Sequence, residues 1–465
     1  MRIRFSAVGA LALATLAACS DEGTTNSAIS PVQSPALAAA PAQDEVVPGE
    51  VLVKFKDGVD ASALLRANGL VRRAVGYKGS FEVLNGARGQ ERALAAVLKN
   101  DSRVEWAEPN YIRRVEAIDG RLWAFYNPGG LNMNFSDPTD SRYGTPIPSS
   151  YASIADADED AIEGIGVGGS EVVISNIDTG VDFSHPEFTG RLIRGCDWYS
   201  MAVAGNSSGT CNDFTSDDTP DQGHGTHTAG TSAGATVGVS GVTGATSVKI
   251  FVQRVCGANG CYTSSIINAI RAAADQPNMV AMNLSLGGRT ISSGEKNAIA
   301  YATNKGVLVI AAAGNSGTNK VGCPACDPNA ISVAATTWKD ELASYSQYGS
   351  GLDMSAPGGL CYSNTTEEGC VFSAVVAGYQ GGNIHSGPLA GGSYAFMNGT
   401  SMATPQVTGA AAVVASKTGL RGAALRARLE SSAFDLGVAG YDTKFGNGRL
   451  DVYKAVTGTT LGAGL

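Results

Sequence analysis

Histidine is scarce in this chain, with four in 465 residues: His185, His224, His227 and His385. Chemistry that needs an imidazole is therefore confined to very few places. Charge is also low, at 16% of residues against 43% hydrophobic and 60 glycines, which excludes a disordered chain and describes a globular one with many tight turns. Over most of the length basic residues are in deficit. Residues 116–465 carry 19 Lys and Arg against 30 Asp and Glu, a balance that argues against nucleic acid as a partner. No apolar run beyond the N-terminus reaches the ~20 residues that span a bilayer. Zinc finds little to bind, because "CPAC" (Cys323 to Cys326) has neither a second such pair nor neighbouring histidines.

The residues that are present divide the chain into segments. "MRIRFSAVGALALATLAAC" places two arginines before a short apolar run ending in small residues, the build of an export signal over residues 1–19. Its ending resembles a bacterial lipobox, which implies lipidation of Cys19 and a membrane tether of acyl chains only; an ordinary signal cut near "ATLAA" is the alternative. Residues 20–44 read as a flexible tether rich in Ala, Ser and Pro. Residues 45–116 then alternate strand-like and helix-like patterns ("EVLVKFK", "ASALLRANG", "GSFEVLNG", "QERALAAVLKNDSRV", "VEWAEPNYIRRVE"), predicting a small two-layer α/β domain in β-α-β-β-α-β order. Residues 45–115 carry 12 basic against 9 acidic residues, a sign opposite to that of residues 116–465, and the contrast favours association of the two parts.

After a linker at 117–136, residues 137–465 turn to Gly, Ala, Ser and Thr. "EVVISNIDTG", "SVKIFVQRV", "VAMNLSLGG" and "GVLVIAAAGN" are short, nearly continuous apolar strands alternating with helical stretches. That pattern predicts a three-layer α/β domain, a mostly parallel sheet covered by helices on both faces. In such sheets ligands collect at the carboxyl ends of the strands, where these segments turn polar. Eight cysteines remain besides Cys19, an even number that predicts disulfides in an exported chain. Pairing sequence neighbours joins Cys196 to Cys211, Cys256 to Cys261, Cys323 to Cys326 and Cys361 to Cys370. A redox or metal motif at "CPAC" is the other reading.

Three segments carry candidate chemistry. Asp178 ends an apolar strand, where an ionised carboxylate is costly unless bonded. His224 stands between glycines at a helix start in "GHGTHTAG", and Ser401 precedes a small-residue helix, Val407 to Ser416, with Pro405 in its first turn. Each has an ordinary explanation: a turn residue, a packed ring or one of two metal ligands with His227, and a helix cap. Together they supply an orienting acid, a general base and a hydroxyl nucleophile.

"VVISNIDTGVD", "GHGTHTAG" and "NGTSMATP" resemble the three catalytic blocks of the subtilisin-like serine proteases, and the domain before them resembles that family's inhibitory propeptide, notably at "VEWAEPNY". The resemblance implies a charge relay of Asp178, His224 and Ser401, with Asn315 in "AAAGNSG" as oxyanion donor; alone, Asn315 reads as a turn residue. It implies substrate backbone pairing along Ser285, Leu286 and Gly287 and, opposite, the loop from Gly257 to Gly260. Ala312, Ala313 and Gly314 would line a roomy uncharged P1 pocket. Glu187 matches a calcium-ligand position; no cofactor is implied for the chemistry. The implied protein is a monomeric zymogen, exported or anchored, that acts on polypeptides and cuts off its own propeptide between Val115 and Asp137. Departures are Gln406, where the family usually has histidine, and a Gly-rich insertion from Gly358 to Tyr394. The competing classes are an inactive surface lipoprotein using the fold for binding and a metal hydrolase built on His224 and His227.

Overall fold

The computed structural model describes residues 46–115, 169–242, 247–360, 369–381, 384–386 and 389–458. The signal, tether and linker segments, Cys19 and Cys361 lie outside them.

The N-terminal part follows the expected order: β1 (Val46–Phe55), α1 (Ser62–Ala67), β2 (Val71–Val75), β3 (Glu82–Asn85), α2 (Glu91–Lys99) and β4 (Val104–Val115). Its strands pair antiparallel in the order β2-β3-β1-β4. Side chains alternate across a strand, and here both faces of β1 are buried. Val51 and Val53 pack with Leu64, Leu65 and Leu98 of the two helices. Leu52 lies instead in a core that includes Ile266 and Ile267, which belong to the next part of the chain.

That next part is built on a seven-stranded sheet. Its strands are β5 (Val172–Asp178), β6 (Leu192–Asp197), β7 (Val248–Arg254), β10 (Met279–Leu284), β12 (Leu308–Ala312), β13 (Ala330–Thr336) and β14 (Met354–Pro357). They run in the order β14-β13-β12-β10-β5-β7-β6, every neighbouring pair parallel. Two apolar cores occupy its two faces. Val172 and Ile174 of β5 share one with Ala229 of α3 (His224–Ala233) and Val407 of α6 (Thr400–Thr418). Val173 and Ile177 share the other with Ile266 of α4 (Thr263–Ala274) and Ile299 of α5 (Ser293–Asn304). Alternation along one strand thus commits each face to its own pair of helices, giving the three layers expected.

Two expectations about α6 need correcting. The helix begins at Thr400, seven residues before the apolar run at Val407, and Pro405 lies inside it rather than in its first turn. The reason lies outside the helix: Gly399 at the N-cap offers no side chain, and Asn315 accepts the Thr400 N–H from a neighbouring loop at 2.9 Å. Gln406, buried, donates to the Pro357 carbonyl.

The structure has disulfides Cys196–Cys211, Cys256–Cys261 and Cys323–Cys326. Cys370 is also disulfide-bonded. Within the insertion, β15 (Val371–Val375), β16 (His385–Ser386) and β17 (Ser393–Met397) form a small antiparallel sheet. It packs on α3, where Ser373 Oγ donates to the His227 carbonyl at 3.0 Å.

Candidate active site

Parallel strands bring their carboxyl ends to one edge of the sheet, and the candidate residues sit there. Asp178 is the last residue of β5 and is 1% exposed. Its Oδ1 accepts from Thr179 N at 2.7 Å and faces His224 Nδ1 at 2.7 Å; its Oδ2 lies 3.3 Å from Thr228 Oγ1. An ionised carboxylate can only accept, so Nδ1 carries the proton and Nε2 is the basic nitrogen. His224 Nε2 is buried and has no hydrogen-bond partner among the described residues.

His224 is the first residue of α3. The preceding Gly223 is left-handed, with φ at 66°, and a Cβ there would lie 2.4 Å from the Tyr379 ring, so no other residue fits the turn that presents the imidazole. The helix start is also held from outside. Asp218 Oδ2 accepts from Thr226 N at 3.0 Å and from Thr226 Oγ1 at 2.7 Å. Burial, with a smaller push from Asp178, raises the Asp218 carboxyl to about 6.

Ser401 is the second residue of α6. Its Oγ donates to the Ser285 carbonyl at 3.3 Å, while Ser285 Oγ donates to the Ser401 carbonyl at 2.8 Å. The second bond exists because Pro405 has no N–H to offer its partner one turn back. Asn315 follows the end of β12, and its Oδ1 accepts from both Thr400 N and Thr400 Oγ1, at 2.9 and 3.0 Å. A backbone N–H is only a donor, so the amide end facing Thr400 must be the oxygen and the other end is the Nδ2 donor.

The two edges expected to bind substrate are occupied by the chain itself. Gly257 pairs with Gly260 in a hairpin of β8 (Cys256–Gly257) and β9 (Gly260–Tyr262), closed by the Cys256–Cys261 disulfide. The last residues of β4 run antiparallel between that hairpin and β11 (Leu286–Gly287). Ile112 and Arg113 pair with Tyr262 and Cys261, then Arg114 and Val115 pair with Gly287 and Leu286. Ala312, Ala313 and Gly314 are buried at the end of β12, and Gly314 N donates to Thr400 Oγ1 at 3.2 Å.

Other contacts join β4 to helix starts. Glu108 accepts from Ser293 N and Gly294 N, at 2.5 and 2.9 Å, in the first turn of α5. Asn110 Oδ1 accepts from Ser264 N at 2.9 Å in the first turn of α4. Lys78 pairs with Asp275 at 2.5 Å.

Two candidates are placed elsewhere. The Glu187 carboxylate accepts from Thr236 N at 2.7 Å, from Thr236 Oγ1 and from Tyr394 OH at 2.8 Å. Oxygens already facing protein N–H and O–H groups do not fit a calcium site. His227 is buried, its Nε2 donates to the Val371 carbonyl at 3.1 Å, and burial, with His224 adding, pushes it down to about 3. It is a packed neutral ring, and among the described residues no three His, Cys, Asp or Glu converge as a metal site. Asn176, Thr228, Asp218 and Thr400 join the site without having been expected from sequence; only Asn176, an amide within an apolar strand, carries a signal readable there.

Comparison with known proteins agrees with this geometry. Residues 169–448 match the model of the Subtilase family, and residues 33–110 match the Fervidolysin N-terminal prodomain. The chain is 34% identical over 422 residues to the thermophilic serine proteinase of Bacillus sp. (strain AK1), covering 88% of each protein. It is 36% identical over 292 residues to thermitase of Thermoactinomyces vulgaris, covering 62% of this chain and 89% of thermitase. In structure it is similar to fervidolysin from Fervidobacterium pennivorans, a keratinolytic enzyme related to subtilisin, with a TM-score of 0.65 and 24% identity; the match covers 90% of this chain and 62% of that one. That likeness is one of fold.

Proposed function

This chain belongs to the subtilase family, and from that premise we propose an exported serine endopeptidase made as a self-processing zymogen, with Asp178, His224 and Ser401 as its charge relay. Ser401 Oγ attacks the scissile carbonyl and His224 Nε2 takes its proton. Asp178 holds the imidazole in the required tautomer and stabilises the imidazolium. The proton then passes to the leaving amine, and water releases the acyl-enzyme by the same steps. Asn315 Nδ2 and the Ser401 N–H, at the positive end of α6, would stabilise the oxyanion. The serine must turn from Ser285 toward His224 when substrate binds, a tightening common on passing from a free to a loaded site.

The observation that carries this reading is the pairing of residues 112–115 along β9 and β11. Extended chain lies where a substrate would lie, held by backbone bonds that do not depend on sequence. The register supports a sharper processing site than the window from Val115 to Asp137. Val115 lies opposite Leu286, and the next edge residue, Ser285, is bonded to Ser401. Each strand residue advances about 3.4 Å, so cleavage is expected within about three residues after Val115. N-terminal sequencing of the mature protein checks this; a terminus near Asp137 would sink it. Intact mass of the exported precursor tests lipidation at Cys19.

Release of the propeptide is expected to depend on pH. Burial pushes the Glu108 carboxyl up to about 7 from an ordinary 4.5, against the Gly294 and Ser293 amides that favour its charge. The docked form therefore holds its proton more tightly than the free form. Docking is strongest below about pH 4.5 and weakens as pH rises through 7. Glu50 is raised by burial too and acts in the same direction. The isolated propeptide is expected to bind an inactive Ser401→Ala mature domain about tenfold more weakly at pH 8 than at pH 5.5. Glu108→Gln, which cannot ionise, should flatten that profile in a direct binding assay. Affinity that rises with pH would refute the assignment.

A further inference from the structure

Two asparagines lie side by side in the central sheet. Asn176 of β5 and Asn283 of β10 are in register, and both are almost fully buried. A buried amide is costly unless its groups are bonded, and this pair is bonded in a directed way. Asn176 Nδ2 donates to the Gly225 carbonyl at 2.9 Å, directly after His224. Its Oδ1 accepts from Asn283 Nδ2 and from Thr228 Oγ1, both at 3.2 Å. Thr228 Oγ1 also reaches Asp178 Oδ2. On the other side Asn283 Nδ2 lies 3.0 Å from Ser285 Oγ, which donates to the carbonyl of Ser401. One buried network thus touches the peptide after the base, the second oxygen of the acid and the backbone of the nucleophile.

We propose that Asn176 is a positioning residue for proteolysis: its amide ties the first turn of the His224 helix to the strand ends that hold Asp178 and Ser401, and so sets the approach of base to nucleophile. The proposal rests on the charge-relay reading, which Ser401→Ala tests separately. A small misplacement of reacting groups is enough to cost a large factor in rate. A valine at 176 would fill similar space. It would remove the Asn176 bonds to the Gly225 carbonyl and the Asn283 amide, leaving Gly225 with Thr228 Oγ1 and Asn283 with Ser285 Oγ, and free the helix start to shift against Ser401. Groups that bind substrate backbone, on β9 and β11, stay where they are.

The test is Asn176→Val in the full chain, matured and counted by titration of active sites with a fluorophosphonate. We expect kcat per titrated site to fall about tenfold or more, with KM within about twofold of wild type. Loss of packing alone would lower the yield of titratable enzyme and leave kcat per site unchanged; that result overturns the proposal. Ser285→Ala removes the hydroxyl through which Asn283 reaches the Ser401 carbonyl and serves if Asn176→Val does not mature. A kcat per site within twofold of wild type for Ser285→Ala would then overturn it. Where both mature, members of one network should not add. The double variant is expected to be no worse than the poorer single, and fully multiplicative losses count against the network.

Discussion

Replacing Ser401 by alanine is expected to reduce peptide hydrolysis by about 10⁶-fold, the size of loss recorded when the serine of a subtilisin, a relative in this family, is removed. It should also leave the purified chain at precursor mass. The two readouts separate catalysis from stability, because the substitution is mild for the fold. Ser401 is the second residue of α6, its Oγ makes a 3.3 Å bond to the Ser285 carbonyl, and the start of the helix is capped by Asn315 rather than by Ser401. Alanine is a good helix former, and the bond from the Ser285 hydroxyl to the residue 401 carbonyl remains available. Thermal unfolding close to that of the parent is therefore expected. Processing of purified Ser401→Ala near Val115 would mean that the cut is made by something else, or by another group of this chain.

Asn315→Ala is expected to lower kcat by about 10²–10³ with little change in KM, again the scale known for an oxyanion donor in a subtilisin. The kinetic pattern follows from when the charge appears. The oxyanion exists in the tetrahedral intermediate and not in bound substrate, so its donor lowers the barrier without tightening binding. Asn315 also accepts from Thr400 N and Thr400 Oγ1, so alanine removes a cap as well, a loss of typically about 1 kcal/mol in stability. Asn315→Asp separates the two effects: it keeps the acceptor for Thr400 but replaces the donor with a carboxylate. Activity in Asn315→Asp as low as in Asn315→Ala, with stability restored, is the expected outcome. Full activity in either variant removes Asn315 from the mechanism.

The order of elements and the three-layer arrangement were legible because they depend on local pattern. Apolar strands such as Val172–Asp178, interleaved with helices, leave few options but a parallel sheet buried on both faces. Pairing of neighbouring cysteines was legible for Cys196–Cys211, Cys256–Cys261 and Cys323–Cys326, since short loops close readily; the expected partner of Cys370 lies outside the described residues. The start of α6 was misread because its cap is supplied by Asn315, 85 residues earlier, and no pattern local to the helix records it. His227 and Glu187 look like ligands in sequence, yet the Val371 carbonyl, Thr236 and Tyr394 take up their polar atoms. The Asn176 and Asn283 amides lie within largely apolar strands; their shared network appears only when β5 and β10 lie in register.

By itself, the sequence determined the kinds of groups available and their order along the chain: an acid at the end of one strand, a histidine at the head of one helix, a serine before another. Those are consequences of periodicity and of residue chemistry, which act over a few residues. Only the tertiary structure decided which groups meet. The 2.7 Å contact between Asp178 and His224 spans 46 residues in sequence, and the seating of residues 112–115 between β9 and β11 joins segments far apart along the chain. Such contacts depend on strand order and register, which are set by burial over the whole sheet. A hydrogen bond needs its partners within a few tenths of an ångström, and no local pattern carries that precision.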